Sequence, residues 1–324
     1  MNIWSKIVSF FIKRNREPEP CELIPFIRQW LAYSRRTKQY KDRFYNICNK
    51  LSAFEKHLKI TLYTDSFTES MTESFVYYLQ NDYEKKLLQN TVIKLLSILS
   101  TAIHRAEKSG YKVNWGVTEM RLRKDYIETV ALTQDELDRL NLLKLSKEAA
   151  AVRDRFLLGC YTAQRISDYK RITASDIHNG IITIKQIKTG AVVKIPVHPI
   201  LYEILERNGG QFPDLPSDQA INGAIKRICK KAGINDIIPV ERIRAGKTER
   251  LKLKKYEMIS SHTARRTGAT LMYFAGIPVA KIMKITGHTT EASFFAYIRI
   301  DKTENAKELS EHPFFSKKVV CLHT

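Results

Sequence analysis

SHTARRTGATLMYFAGIPVAKIMKITGHTTEASFFAYI, residues 261–298, holds four chemically distinctive side chains, His262, Arg265, His288 and Tyr297, between residues that favour turns. His262 and Arg265 are three apart, so on a helix they share a face. The apolar positions Ala269, Leu271, Met272 and Phe274 continue such a helix, and Gly276 stops it. Pro278 fits the first turn of a second short helix, with Val279, Ile282 and Met283 at helical spacing. Gly287 ends that helix and leaves His288 at its exit. Thr290 can cap a third helix, with Tyr297 near its C-terminal end among Phe294, Phe295 and Ile298. Three short helices and two tight turns thus allow the four side chains to converge. Taken singly each is ordinary: a surface imidazole, a solvated arginine, an aromatic in a core. The joint order and spacing carry the weight.

His-x-x-Arg, Gly-His, and a tyrosine nine positions after that histidine resemble the C-terminal signature of the tyrosine recombinases, the phage-integrase family. Upstream, LLGCYTAQRISDY, residues 157–169, resembles the family's first arginine motif, with Arg165 at the matching position. The family more often has glycine ahead of that arginine, where this chain reads Tyr161, Thr162, Ala163, Gln164. Without the family, Arg165 would be a helix-end arginine paired with Asp168. Next, Asn179-Gly180 signals a tight turn, and the β-branched runs flanking Lys188-Thr189-Gly190 read as hairpin strands. The family places a lysine of such a hairpin in its active site. Lys188 matches best, with Lys185 and Lys194 as neighbouring alternatives.

The resemblance implies a metal-free, ATP-free phosphoryl transfer on DNA. Tyr297 would be the nucleophile, forming a 3′-phosphotyrosyl bond, with Tyr273 as the next candidate. Arg165 and Arg265 would hold the non-bridging oxygens. Lys188 would protonate the departing 5′-oxygen, His262 would assist proton transfer and His288 would hydrogen-bond the phosphate. The expected activity is that of a site-specific recombinase or integrase. The alternatives are strand relaxation of the type IB topoisomerase kind and a noncatalytic DNA-binding protein on the same fold. Six intact candidate positions favour an enzyme.

Composition supports a polyanionic partner. Lys and Arg number 54 against 34 Asp and Glu, a formal +20 over 324 residues, and phosphate neutralisation dominates nucleic-acid affinity. The expected partners are double-stranded DNA carrying specific recombination sites and further copies of the chain, a tetramer on two duplexes. No apolar run approaches the roughly 20 residues that span a bilayer, and residues 3–12 are too short and lack a nearby cleavage site. They read as a short amphipathic helix. Five scattered cysteines without a C-x-x-C pair argue against a disulfide framework or zinc site and for a cytoplasmic protein. No phosphate-binding glycine loop appears, so neither a cofactor nor a metal is expected.

The fold class expected is mainly α with small β-hairpins: a helical core-binding bundle followed by a mixed catalytic domain. Residues 1–20 form a short leading segment, 21–114 the bundle, 115–130 a basic linker, 131–312 the catalytic domain and 313–324 a tail. The bundle's helices are expected near 24–32, 39–57, 68–79 and from Asn90, as cap, to Gly110. Thr133 and Glu136 give a capping box at the catalytic domain's start. The 21 residues ahead of Glu22 are too few for the separate arm-binding domain that many integrases carry. Between 237 and 259 a second hairpin turns at Ile243–Lys247 in sequence, with Leu251 and Leu253 alternating with Lys252 and Lys254. Seven Lys and Arg stand against two Glu in 241–255. Arg242, Arg244, Lys247, Lys252, Lys254 and Lys255 are therefore candidate contacts to the DNA backbone, the competing reading being a solubilising strand. After Tyr297 a short helix to Leu309 and the apolar Phe314 and Phe315 would dock into a neighbouring protomer or pack on their own domain.

Overall fold

The computed structural model describes residues 17–125, 128–215, 218–244, 247–298, 306, 309–310 and 314–315. The helix expected within residues 3–12 and most of the C-terminal segment lie outside these. Two compact units divide the chain: Met1–Ile127 with Glu241–Leu251, and Glu128–Val240 with Lys252–Thr324.

The first unit is helical, as the sequence pattern requires. It contains α1 (Leu23–Tyr33), α2 (Lys38–Leu58), α3 (Glu69–Asn81), α4 (Gln89–Lys108) and the single turn α5 (Gly116–Glu119). Thr37 caps α2 by accepting from the Tyr40 amide, and Phe44, Ile47, Cys48, Leu51 and Phe54 bury one stripe of it. Thr68 caps α3 in the same way. Asn90 does not cap α4; Leu88 occupies that position. The Asn90 amide is used elsewhere, donating to the Asp125 carbonyl at 2.9 Å and accepting from the Asp125 amide at 3.0 Å. The start of the expected linker also packs inward. Trp115, Val117, Met120 and Leu122 join the apolar core of this unit, and a Cβ on Gly116 would lie 2.2 Å from the Thr68 backbone.

The second unit opens with α6 (Gln134–Leu142), whose Thr133–Glu136 capping box forms as expected. The long α7 (Lys147–Thr162) is buried on most sides and carries three buried charges, Arg153, Asp154 and Arg155. Each is compensated. Arg155 donates to the carbonyls of Tyr169, Ile172, Phe212 and Pro213. Asp154 accepts from Arg153, Arg207 and Asn208. One turn, α8 (Ile166–Tyr169), leads to a three-stranded antiparallel sheet of β1 (Ile177–His178), β2 (Ile181–Lys185) and β3 (Val192–Pro196), in that order. Asn179 and Gly180 turn β1 into β2 with φ of 49° and 73°, as a tight hairpin turn needs. Then come α9 (Pro199–Arg207) and α10 (Asp218–Lys231).

The second hairpin pairs β4 (Ile237–Arg244) with β5 (Lys247–Lys254). It is shorter than expected, because Lys255–Met258 forms a helical turn, α11. Its apolar cover is confined to the first half of β4, where Val240 is buried; on β5 Leu251 is exposed and Leu253 only half-covered. The signature segment follows as α12 (Ser261–Phe274), α13 (Val279–Thr286) and α14 (Glu291–Phe295). Pro278 caps α13 rather than entering its first turn. Thr290 caps α14 as expected, accepting from the Ser293 amide at 3.2 Å. However, α14 ends at Phe295, so Tyr297 stands in the turn beyond it. Phe294 and Ile298 join Ala269 and Ile282 in a small core that ties the three helices together. Phe314 and Phe315 are exposed.

The crossing of α7 and α12 sets the spacing of the unit. A Cβ on Gly268 would lie 2.0 Å from the Cys160 carbonyl oxygen and 2.9 Å from the Ala163 methyl, and one on Gly159 would meet the Tyr169 ring at 2.7 Å. Gly268→Ala must therefore push the helices apart, and overpacking of this kind costs about 1–3 kcal/mol. Gly223→Ala, inside α10 with only the flexible Arg227 guanidinium at 3.4 Å, should instead stabilise by up to ~1 kcal/mol through helix propensity. Thermal unfolding of the two variants should shift in opposite directions. A Gly268→Ala protein as stable as the parent would show that the crossing is loose.

Candidate active site

All six candidate residues of the signature lie in the second unit; Arg165, His288 and Tyr297 gather around Arg265, and Lys188 comes near His262. The chain leaves α7 through Ala163, whose φ of 52° is left-handed. This strained turn falls where the family more often has glycine. It presents the Ala163 carbonyl to the Arg265 guanidinium, which donates to it from Nη1 at 3.1 Å. Arg265 is only 1% exposed. Its Nη2 approaches His288 Nε2 at 3.4 Å, and its guanidinium carbon sits 5.7 Å from the centre of the Tyr297 ring. Burial and then the nearby Arg165 pull its pKa down to about 10, while Tyr297 and Asp168 pull the other way. It therefore remains a cation at neutral pH.

His288 leaves α13 through Gly287, which is left-handed with φ 71°. Its tautomer follows from its partners. The Thr286 hydroxyl donates to the Ile282 carbonyl at 2.9 Å and so accepts from His288 Nδ1, also at 2.9 Å. Nε2 is left as an acceptor toward Arg265, which has only donors. Burial and then Arg265, Arg165 and His262 push the His288 pKa down to about 4. His262 is shifted equally, to about 4, by partial desolvation first and then by Arg266, Arg265, Arg165 and Lys188. Both imidazoles are thus neutral at pH 7.

Tyr297 is half-buried between these groups. Its ring packs edge-on against His262 at 5.2 Å and tilted against His288 at 5.2 Å. Its hydroxyl donates to the His262 carbonyl at 3.4 Å. Burial raises its pKa, with Arg265, Arg266 and Arg165 opposing. Arg266 was not among the candidates. It holds the Tyr297 turn, donating from Nε to the Tyr297 carbonyl at 3.2 Å, with its guanidinium 5.2 Å from the ring centre.

Arg165 is the N-cap of α8, half-buried, with Nη1 at 3.5 Å from Gln186 Oε1. Asp168 does not use its Oδ1 as the simple helix-end partner of Arg165: that oxygen accepts from the Ile187 amide at 2.8 Å and faces Arg171 at 3.5 Å. This ties the arginine motif to the β2–β3 turn. Lys188 is exposed on that turn and close enough to His262 to lower its pKa. Lys185 and Lys194 face each other's strands across Thr183 and Val192 in the β2–β3 ladder rather than sitting in the turn. Tyr273 packs against Phe274 and Phe295.

The hairpin cations differ among themselves. Lys247, Lys252 and Lys254 are exposed, while Arg242 and Arg244 are half-buried and Arg244 faces Glu249 at 3.4 Å. Lys255 is a correction: it is buried, and its ammonium donates to Glu136 at 2.6 Å, anchoring α11 to α6. A lysine so committed is a structural ion pair, not a surface contact.

The arrangement is a cationic cradle around a phenol, with two neutral imidazoles and a lysine at its edge. Such a cradle can hold a tetrahedral or trigonal-bipyramidal oxyanion against a tyrosine. Among the described residues no helix is long and apolar enough to cross a membrane.

Comparison with known proteins agrees. The family model described as Phage integrase family matches residues 131–304, and the Phage integrase SAM-like domain matches residues 22–118. A search of curated proteins finds no significant sequence match. Among solved structures, a lambda integrase dimer bound to a COC′ core site is similar with TM-score 0.63 and 20% identity, covering 87% of this chain and 78% of that one. The Tn1549 transposon integrase with a circular intermediate DNA gives TM-score 0.64 and 16% identity over 89% and 98%. A lambda integrase tetramer bound to a Holliday junction gives 0.62 and 18% over 90% and 80%. At these identities the likeness shows a shared mainly α fold with small antiparallel sheets. The family match spans more than half of the sequence, and the chain belongs to the phage integrase family of tyrosine recombinases.

Proposed function

We propose that this protein is a site-specific DNA recombinase that cuts and rejoins strands through a covalent bond to Tyr297. The observation that carries the reading is the buried Arg265 guanidinium, held between the Ala163 carbonyl, His288 and the Tyr297 ring. Unlike Arg155, whose donors are taken up by four carbonyls, this cation lies beside a phenol and a neutral imidazole, where its charge is suited to receive an anion. The net charge of +20 supports a polyanionic substrate, and the similar integrase structures are complexes with core-site DNA, circular intermediate DNA and a Holliday junction.

In the proposed step the scissile phosphate lies between Arg165 and Arg265, which hold its non-bridging oxygens. The Tyr297 oxygen attacks phosphorus and the bond from phosphorus to the 5′-oxygen breaks. The phenolic proton passes to the neutral His262, and Lys188 gives a proton to the leaving 5′-oxygen. His288, fixed by Thr286 and Arg265, steadies the phosphate. The 3′-phosphotyrosyl bond retains the energy of the original ester, so a 5′-hydroxyl of a second strand can reverse the step with the proton transfers exchanged. Four protomers on two duplexes would carry out a full exchange. The hairpin lysines Lys247, Lys252 and Lys254, with Arg242 and Arg244, would follow the phosphate backbone.

The direct test uses nicked suicide duplexes built from repeats in the DNA flanking the gene. The parent protein should give a slower-migrating band on a denaturing gel, in EDTA as well as without it, and Tyr297→Phe should give none while still shifting the duplex on a native gel. An adduct that persists in Tyr297→Phe would place the nucleophile elsewhere, Tyr273 first. Lys188→Ala should cleave ordinary DNA poorly but recover on a duplex with sulfur at the 5′-bridging position, because a thiolate departs without a proton. Recovery by Lys185→Ala or Lys194→Ala in its place would move the general acid.

The neutral imidazoles predict a pH effect on the free protein. His262 and His288 are held at about 4, below the roughly 6.5 of an unperturbed imidazole. Between those values the unfolded chain binds protons that the folded protein refuses, so stability should be full above pH ~6.5 and fall as pH drops toward ~4. Denaturant midpoints across that range should show a shallower slope in His262→Gln/His288→Gln than in the parent. Equal slopes would mean that these two rings titrate normally.

A further inference from the structure

The site is assembled from turns that are distant in sequence, and one side chain joins three of them. Gln186 stands at the start of the β2–β3 turn, two positions before Lys188, and is 1% exposed. Its backbone closes the turn, donating to the Ala191 carbonyl at 2.8 Å and accepting from the Gly190 amide at 2.9 Å. Its side chain faces the other way. Nε2 donates to Gln164 Oε1 at 2.7 Å and to the Thr286 carbonyl at 3.1 Å. Oε1 accepts from the Thr189 hydroxyl at 2.8 Å and receives Arg165 Nη1 at 3.5 Å.

The four contacts exhaust what a primary amide can make, and they fix which way it points. Nε2 must face the two carbonyl-type oxygens, so Oε1 must face Thr189 and Arg165. Gln164, fully buried beside Arg165, extends the link by donating to the Thr162 and Ile285 carbonyls at 2.9 and 2.8 Å. Gly287, next to His288, is shaped to the same group: a Cβ there would lie 2.4 Å from Gln186 Oε1. The turns bearing Arg165, Lys188 and His288 therefore meet at one amide. The Asp168 grip on the Ile187 amide fixes the neighbouring backbone, but it does not reach the His288 turn.

We propose that Gln186 is a positioning residue for the general acid: it holds the Lys188 turn in register with the arginine and histidine turns. This rests on the reading of Lys188 as proton donor. A lysine on an exposed turn has no packing of its own to fix it, and a proton donor must lie within hydrogen-bond reach of the oxygen it serves. Displacement by about 1 Å costs on the order of 10²-fold in rate.

The test compares Gln186→Met, Thr189→Val, Lys188→Ala and the parent on duplexes that the parent cleaves, with oxygen or sulfur at the 5′-bridging position. Methionine matches the glutamine's shape without its hydrogen bonds. Gln186→Met should cleave ordinary DNA about 10²-fold more slowly and return close to the parent rate with bridging sulfur, as Lys188→Ala does. Thr189→Val, at an exposed position, removes the hydroxyl that donates to Oε1 at 2.8 Å and accepts from the Ala191 amide at 3.4 Å, and should show a smaller loss with the same recovery. A merely structural defect, or one acting through the Arg165 clamp, would slow both substrates alike, and that result overturns the proposal. Equal rates for Gln186→Met and the parent on ordinary DNA overturn it too. If Lys188→Ala itself fails to recover while the parent cleaves both duplexes, the general acid is not Lys188 and the proposal falls with that assignment. Should Gln186→Met not fold, Thr189→Val decides by the same criterion.

Discussion

The burial of one guanidinium governs the second unit. An ionised group leaves water only where acceptors and polarisable surfaces replace its hydration, and Arg265 finds these in the Ala163 carbonyl, His288 and the Tyr297 ring. They come from three separate segments of chain, so the unit cannot bury Arg265 without assembling the site. The helix crossing that makes this possible depends on Gly159 and Gly268, where any side chain would meet Tyr169 or the Cys160 carbonyl. It also depends on a left-handed alanine at the end of α7. Packing and electrostatics are thus one constraint. The same crossing that closes the core brings the carbonyl to the cation.

That constraint explains the state of the histidines. Burial first, and then the positive field of Arg165 and Arg265, disfavours a further cation in the site, and both imidazoles are pushed to about 4. His288 is then an acceptor toward Arg265, and His262 stands beside the phenol with a nitrogen lone pair free of a proton. The Tyr297 hydroxyl, raised by burial despite the three guanidiniums, keeps its proton in the free protein. The empty site therefore favours neutral tyrosine and neutral histidine together.

How much of this could be read from the sequence depended on the range of the interaction. Signals satisfied within a few residues were legible: the Thr133–Glu136 box, the Asn179-Gly180 turn, the stop at Gly276 and the left-handed exit at Gly287. Asn90 was misread as a cap because its side chain is claimed by Asp125, 35 residues away. Lys255 looked like one more hairpin cation because its partner, Glu136, is 119 residues distant. Tyr297 lies past its helix, and its carbonyl is held by Arg266 on α12, 31 residues away. The signature residues were found through their order and spacing, which a family resemblance encodes. Gln186 carries no such mark. Its partners lie 22 and 100 residues off, and nothing in IKQIKTG distinguishes a buried amide from an exposed one.

On the proposed reading, the substrate itself completes the balance of charges. A phosphodiester entering between Arg165 and Arg265 brings a negative charge that offsets the cationic field which, after burial, depresses the imidazoles, and an anion nearby raises the proton affinity of a histidine. His262 becomes a better base when the phosphate is in place than when the site is empty. The same anion offsets the guanidinium attraction that favours a phenolate, so Tyr297 cannot simply ionise in advance and wait. Its proton has to leave as the oxygen bonds to phosphorus, to a base strengthened by the group under attack. Proton transfer and nucleophilic attack are thereby tied to the occupied site, and the geometry that serves this coupling is the one that burial of Arg265 already imposes.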